Sequence, residues 1–247
     1  MRASPEAQLR LLELADLDAE LGRLEHRRRS LPEHAELSQL EERDRKLRDE
    51  LATLQAREGD TKREQAKADA DVEQVRSRIA RDRARLDAGQ VSSPRELENL
   101  QSEIESLLRR QSDLEDAELD VMERLETVQA RLKEATEERA GIATAAEALI
   151  ARRDAALAEI AELAGKAADR RSVIVAEEPA DLVALYERLR AQLGGVGAAA
   201  LRRGQCQGCH LTLTSVDLSA IRAAAPDDVL RCEECRRILV RTDESGL

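Results

Sequence analysis

Apolar residues along most of this chain recur at alternating steps of three and four. From Leu97 the positions 97, 100, 104, 107, 111, 114, 118, 121, 125, 128, 132, 135, 139, 142, 146, 149, 153, 156, 160 and 163 hold Leu, Ile, Val or Ala at sixteen of twenty places, with Gln111, Glu118, Arg139 and Arg153 as exceptions. That period keeps one stripe of a helix turned towards a partner, and its persistence marks a coiled-coil seam. The first third of the chain repeats the pattern in two stretches. One runs through Leu14, Leu17, Leu21, Leu24 and Leu31, the other through Leu37, Leu40, Leu47, Leu51, Leu54, Ala68, Val72, Val75, Ile79 and Leu86. Pro32 stands between them, where the seam changes phase, and it either kinks a helix or opens a new one. Glu58, Thr61 and Gln65 fall on core positions beside Gly59, which predicts weaker packing there.

The two seams are separated by a stop signal and a start signal. Gly89 suits a helix C-terminus, and Ser93-Pro94 with Glu96 suits a helix N-terminus, so the turn lies at 88–94. The prediction is an antiparallel coiled-coil helical hairpin with arms over 6–86 and 95–170. At 1.5 Å per residue, arms of about 80 residues give a rod of about 120 Å. A parallel dimer or a compact bundle would use the same stripe. Matched arms and a short turn favour the hairpin, because closing a short loop costs little entropy.

Past Arg171 the pattern fades. Val173-Ile174-Val175 is β-branched and reads as a turn or a strand. Pro179 then opens a short helix with Leu182, Leu185, Leu189 and Leu193 on one side, and Gly194-Gly195 closes it. The expected organisation is a hairpin over 1–171, a connecting short helix over 172–198, and a small β-type module over 199–247. The fold class is mainly α.

Composition agrees with long helices. The chain has one Tyr, no Phe and no Trp, and charged residues make up 37%. Helices of this kind bury a narrow stripe and solvate the rest, so no deep pocket for a small-molecule substrate is expected. No run of apolar residues is long enough to span a membrane, and Met1-Arg2-Ala3-Ser4 begins no secretory leader. These readings place the chain in the cytoplasm, where thiols stay reduced.

That compartment bears on the four cysteines, spaced Cys206-x2-Cys209-x22-Cys232-x2-Cys235. Two CxxC knuckles facing each other present four thiolates to one soft metal, the pattern of a structural Zn2+ site. A redox pair, another soft metal or disulfides would use the same residues. Four sulfurs close the shell, so a zinc here is structural rather than catalytic. His210, next to Cys209, reads as a surface residue, as do His26 and His34 on the helical arm. A module of this size without aromatics needs its metal to fold, so removal of zinc is expected to unfold it and spare the coiled coil. No phosphate-binding glycine loop and no nucleophile elbow is present. The acidic residues sit at i,i+3 and i,i+4 from basic ones, as on solvated faces.

Two stretches carry a resemblance. Ser93-Pro94-Arg95-Glu96-Leu97-Glu98-Asn99-Leu100-Gln101-Ser102-Glu103-Ile104 follows the turn. Cys206-Gln207-Gly208-Cys209-His210-Leu211 pairs with Arg231-Cys232-Glu233-Glu234-Cys235-Arg236-Arg237-Ile238-Leu239. With these the chain resembles, over nearly its whole length, the bacterial family of coiled-coil hairpin proteins with a C-terminal C4-type zinc ribbon. The resemblance implies zinc ligands at Cys206, Cys209, Cys232 and Cys235. It also implies an adaptor role, since members are linked to flagellar gene regulation and secretion through a sigma factor, secretion components or RNA. Arg236 departs from the family pattern, which has Gly after the last cysteine to suit a left-handed turn.

Three functions follow from these readings. The first is a non-enzymatic adaptor that binds partner proteins through rod and ribbon. The second is nucleic-acid binding by the ribbon through Arg202, Arg203, Arg231, Arg236, Arg237 and Arg241. Against it stand the net charge of −11, the equal number of acids in 199–247 and the absence of stacking aromatics. The third is a factor that enters the RNA polymerase channel, for which Asp87 and Glu96 flank the turn but the arms are too long.

Overall fold

A computed structural model describes residues 1–91 and 93–247; Ser92, inside the predicted turn at 88–94, lies outside them. Helix α1 (Pro5–Arg29) starts where the Ser4 hydroxyl accepts from the Ala7 N–H at 3.2 Å, with Pro5 at the first helical position. It ends at Ser30, and Pro32 opens α2 (Pro32–Asp87), so the phase change marks a new helix and not a kink. Helix α2 runs through Gly59 without a break. Gly89 adopts φ +63° just after it, and Ser93 Oγ accepts from the Glu96 N–H at 3.3 Å as α3 (Pro94–Glu177) begins.

Helix α3 corrects one expectation. Val173-Ile174-Val175 is helical, neither turn nor strand. The propensity cost of β-branched residues in a helix is a few tenths of a kcal/mol each. Burying Ile174, 7% exposed, returns about 1.5–3 kcal/mol. Helix α4 (Ala180–Gln192) follows.

The chain divides into two compact units, Met1–Ala35 with Ile150–Leu247, and Glu36–Leu149. The second unit is the helical hairpin of α2 and the first part of α3. Leu47 and Leu54 pack with Ala135 and Ile142, flanked by Leu40, Leu51, Val128 and Leu132. Ion pairs run along its sides: Arg43–Glu138 at 2.7 Å, Arg139–Asp44 at 2.8 Å, Arg131–Glu50 at 2.7 Å and Arg76–Glu115 at 2.6 Å. Numbers rise on one helix as they fall on the other, the mark of antiparallel pairing. The weak stretch lies where it was expected. Thr61 is buried on the seam with its hydroxyl donating back to Arg57 O, beside an opening lined by Asp60, Glu64, Glu123 and Arg124.

The first unit joins α1, the end of α3, α4 and a four-stranded sheet in the order β2-β1-β4-β3. The strands are β1 (Ala198–Arg202), β2 (Gln205–Cys206), β3 (Leu230–Arg231) and β4 (Ile238–Val240), with α5 (Ser215–Ala223) between β2 and β3. β1 and β4 are parallel, and β2 and β3 are antiparallel to their neighbours. One core holds Leu11, Leu14 and Leu17 of α1, Ile174, Leu182, Tyr186, and Ala198, Ile238 and Val240 of the sheet. Gly197 allows α4 to lie this close, because a Cβ there would meet the Tyr186 carbonyl oxygen at 2.5 Å.

A buried charge sits beside this core. The Asp18 side chain is fully enclosed. It accepts from Tyr186 Oη at 2.6 Å and from Arg171 Nε at 2.8 Å, and Arg190 Nε lies 2.9 Å away. Glu187 bridges the two guanidinium groups. Burial, and then the Asp18 carboxylate, push the Tyr186 phenol far above its ordinary range.

Candidate metal centre

Each CxxC is folded by its own backbone into the same knuckle. In the first, the His210 N–H donates to Cys206 O at 2.8 Å and the Cys206 N–H to Leu211 O at 3.1 Å. In the second, the Arg236 N–H donates to Cys232 O at 2.9 Å and the Cys232 N–H to Arg237 O at 2.9 Å. The residue after the second cysteine is left-handed in both, His210 at φ +60° and Arg236 at φ +64°. Arg236 thus holds the turn that glycine usually takes.

The knuckles bring their sulfurs together. Cys206 Sγ is 3.8 Å from Cys235 Sγ, Cys209 Sγ is 3.9 Å from Cys232 Sγ, and all four lie within 4.8 Å of one another. A tetrahedron of thiolates around zinc, with Zn–S near 2.3 Å, has edges of about 3.8 Å. The donor set therefore fits one Zn2+, and these four cysteines are positioned to bind it. Cys206 and Cys232 are buried, while Cys209 and Cys235 are half-buried.

The electrostatics separate the two buried cysteines, Cys206 and Cys232, both raised by burial, from the half-buried Cys235. Burial pushes the Cys206 thiol up to about 12, against the pull of the Cys209 and Gly208 N–H groups. At Cys235 burial acts the same way but is outweighed by the Arg237 N–H and side chain, which hold the thiol down at about 7. A bound cation favours every thiolate, so metal uptake displaces protons, above all the one on Cys206. Among the described residues no other group of three or more His, Cys, Asp or Glu comes together, and His210 lies outside this one.

The six arginines singled out in the sequence have different surroundings. Arg237 donates to Leu193 O at 2.8 Å, Val196 O at 3.0 Å and Gly208 O at 3.3 Å, tying the end of α4 to the first knuckle. Arg241 turns inward to the carbonyls that close α5, among them Ala224 at 3.0 Å and Pro226 at 3.0 Å. Arg231 Nε donates to Arg236 O at 2.9 Å, and Arg236 pairs with Glu233 at 3.1 Å. Arg202 pairs with Glu244 at 3.0 Å and lines a shallow cavity with Arg203, while Arg231 and Arg236 line another. Sequence reasoning missed Asp18, Arg171 and Arg190. The one signal that could have found them is the lone Tyr186, whose hydroxyl needs a buried partner.

Comparison with known proteins agrees with this architecture. Residues 14–194 match the CT398-like coiled coil hairpin domain, and residues 205–239 match the C4-type zinc ribbon domain. The uncharacterized protein Rv2229c of Mycobacterium tuberculosis is 38% identical over 247 residues, 98% of each chain. ML1638 of Mycobacterium leprae is 30% identical over 224 residues, covering 90% of this chain and 94% of its own. A solved structure from Mycobacterium smegmatis superposes with a TM-score of 0.82 at 36% identity, over 98% of this chain and 100% of that one. CT398 of Chlamydia trachomatis shares the fold at a TM-score of 0.68 and 19% identity, over 96% and 98% of the two chains. This chain belongs to the family of CT398-like coiled-coil hairpin proteins that carry a C4-type zinc ribbon.

Proposed function

We propose that this chain is a non-enzymatic cytoplasmic adaptor that binds partner proteins. The hairpin of 1–171 acts as the rod, 172–198 as the connection and 199–247 as the head. The observation that carries this reading is the shell of four thiols, which leaves a bound metal no open position for a substrate. The metal then serves to rigidify a surface. Further support comes from the anchoring of that surface, since Arg237 and the buried Asp18 network fasten ribbon, α4 and α1 to one another. Rigid elements present a binding surface with little entropy lost on association. No described helix is long and apolar enough to cross a membrane.

The test is a titration of zinc-loaded protein against short single- and double-stranded RNA and DNA at low and moderate salt, with crosslinking of protein partners in parallel. The expected result is no nucleic-acid binding, together with crosslinks that a Cys232→Ser variant loses. Sub-micromolar binding that weakens steeply with salt and vanishes in Cys232→Ser would replace the adaptor reading with the nucleic-acid one.

A further inference from the structure

Helix α1 and strand β1 leave a groove of about 580 Å³ between them, closed at one end by the first zinc knuckle. Its floor is built from small residues. Ala15, Ala198 and Ala199 are buried, and Ala19 and Leu12 are half-buried. Alanine on both walls leaves room that larger side chains would fill. The rim has the opposite sign to the chain as a whole, which carries a net charge of −11. Arg23, Arg202, Arg237 and His210 line it, against the single carboxylate of Asp16. Arg237 is committed to three backbone carbonyls and Arg202 to Glu244. The exposed Arg23 has no hydrogen-bond or ion-pair partner among the described residues.

We propose that this groove is the docking site for a short segment of a partner protein, with an apolar side chain on the alanine floor and flanking Asp or Glu side chains turned to Arg23 and His210. The proposal rests on the adaptor reading and gives the partner a chemistry. Charge complementarity selects acidic segments, and the shallow apolar floor selects one or two aliphatic side chains. A nucleic-acid strand fits less well. The groove has no aromatic ring for base stacking, Asp16 repels phosphate, and Arg237 spends three of its donors on backbone carbonyls.

The experiment is selection from a randomised twelve-residue peptide display library on the zinc-loaded full chain. The best enriched peptide is then titrated by fluorescence anisotropy and mapped by amide chemical shifts. We expect enriched peptides to carry aliphatic residues next to Asp or Glu, and shifts to centre on Ala15, Ala19, Ala198 and His210. Arg23→Glu is exposed and without a partner, so its melting curve stays that of the parent while affinity falls about tenfold or more. Ala19→Trp, which fills the groove, gives a similar loss. Enrichment of Lys- or Arg-rich peptides, shifts that map elsewhere, or full affinity in Arg23→Glu would overturn the groove and leave the adaptor reading standing. Failure to enrich any peptide, with a single-stranded RNA twelve-mer shifting the groove amides instead, would overturn both.

Discussion

Arg236 shows most directly how one residue bears on the metal site. It sits at φ +64°, where a Cβ is strained and glycine is not. Relief of that strain is worth about 1–2 kcal/mol, and glycine's extra freedom in the unfolded chain takes back part of it. Arg236→Gly is therefore expected to raise the stability of the metal-bound ribbon by about 0.5–1 kcal/mol, read from urea melts that follow the ribbon amides. A drop in stability would mean that the exposed pair with Glu233 outweighs the backbone term. Asp18 marks the opposite extreme. Asp18→Ala leaves Arg171 and Arg190 facing a buried void and is expected to cost about 3–5 kcal/mol in thermal or denaturant unfolding. Tyr186→Phe removes only the phenol donor and is expected to cost about 1–2 kcal/mol by the same measurement.

Among the elements, neighbouring stretches of α2 differ in what holds them. Leu47 and Leu54 are 5% and 7% exposed and pack against Ala135 and Ile142. A turn or two further on, Thr61 takes the seam position and charged residues line the gap beside it. Thr61→Leu is expected to stabilise the hairpin by about 1 kcal/mol, because it fills an underpacked site with a better helix former. Leu54→Ala should cost about 2–5 kcal/mol. Circular dichroism melting of both variants checks the pair. Equal and opposite small effects would show that the two positions are packed alike. Helix α5 is held differently, by a Thr214–Asp217 capping box at its start and Arg241 at its end.

For the whole molecule, the metal and the core meet in the ribbon. The strands share a core with α1 and α4 through Ala198, Ile238 and Val240, whereas Cys206 and Cys232 sit in a second, smaller core with Leu201, Leu213, Ile221 and Leu239. A zinc chelator is expected to speed hydrogen exchange at the Cys206, His210, Cys232 and Arg236 N–H groups, which close the knuckles, and to leave the Leu47, Leu54 and Ile142 amides protected. Structural zinc is worth ~10–16 kcal/mol in small domains, enough to decide whether the knuckles fold. Loss of protection at Leu47 or Ile142 would refute this division. Acid should act in the same direction as chelator. Zinc takes thiolates, burial disfavours the thiolate of Cys206 in the metal-free fold, and falling pH lets protons compete for all four sulfurs. A zinc-release titration read with a colorimetric chelator should show affinity falling steadily as pH drops below neutrality.

By itself the sequence determined what is periodic or local: the seam, the helix stop and start at Gly89 and Pro94, and the two CxxC knuckles. Each of these is legible because its signal lies within a few residues or repeats at a constant step. Tertiary structure alone decided the rest. Asp18, Arg171, Tyr186 and Arg190 converge from three helices, and no spacing in the chain announces that meeting. The β-branched run at 173–175 became helix because burial of Ile174 outweighs propensity. Arg237 and Arg241, which in sequence belong to a basic ribbon, turn to backbone carbonyls because helix ends and loops leave acceptors that a fork of donors can satisfy. Where a charged side chain goes is set by which unpaired groups the fold brings within its reach, and that is a property of non-local packing.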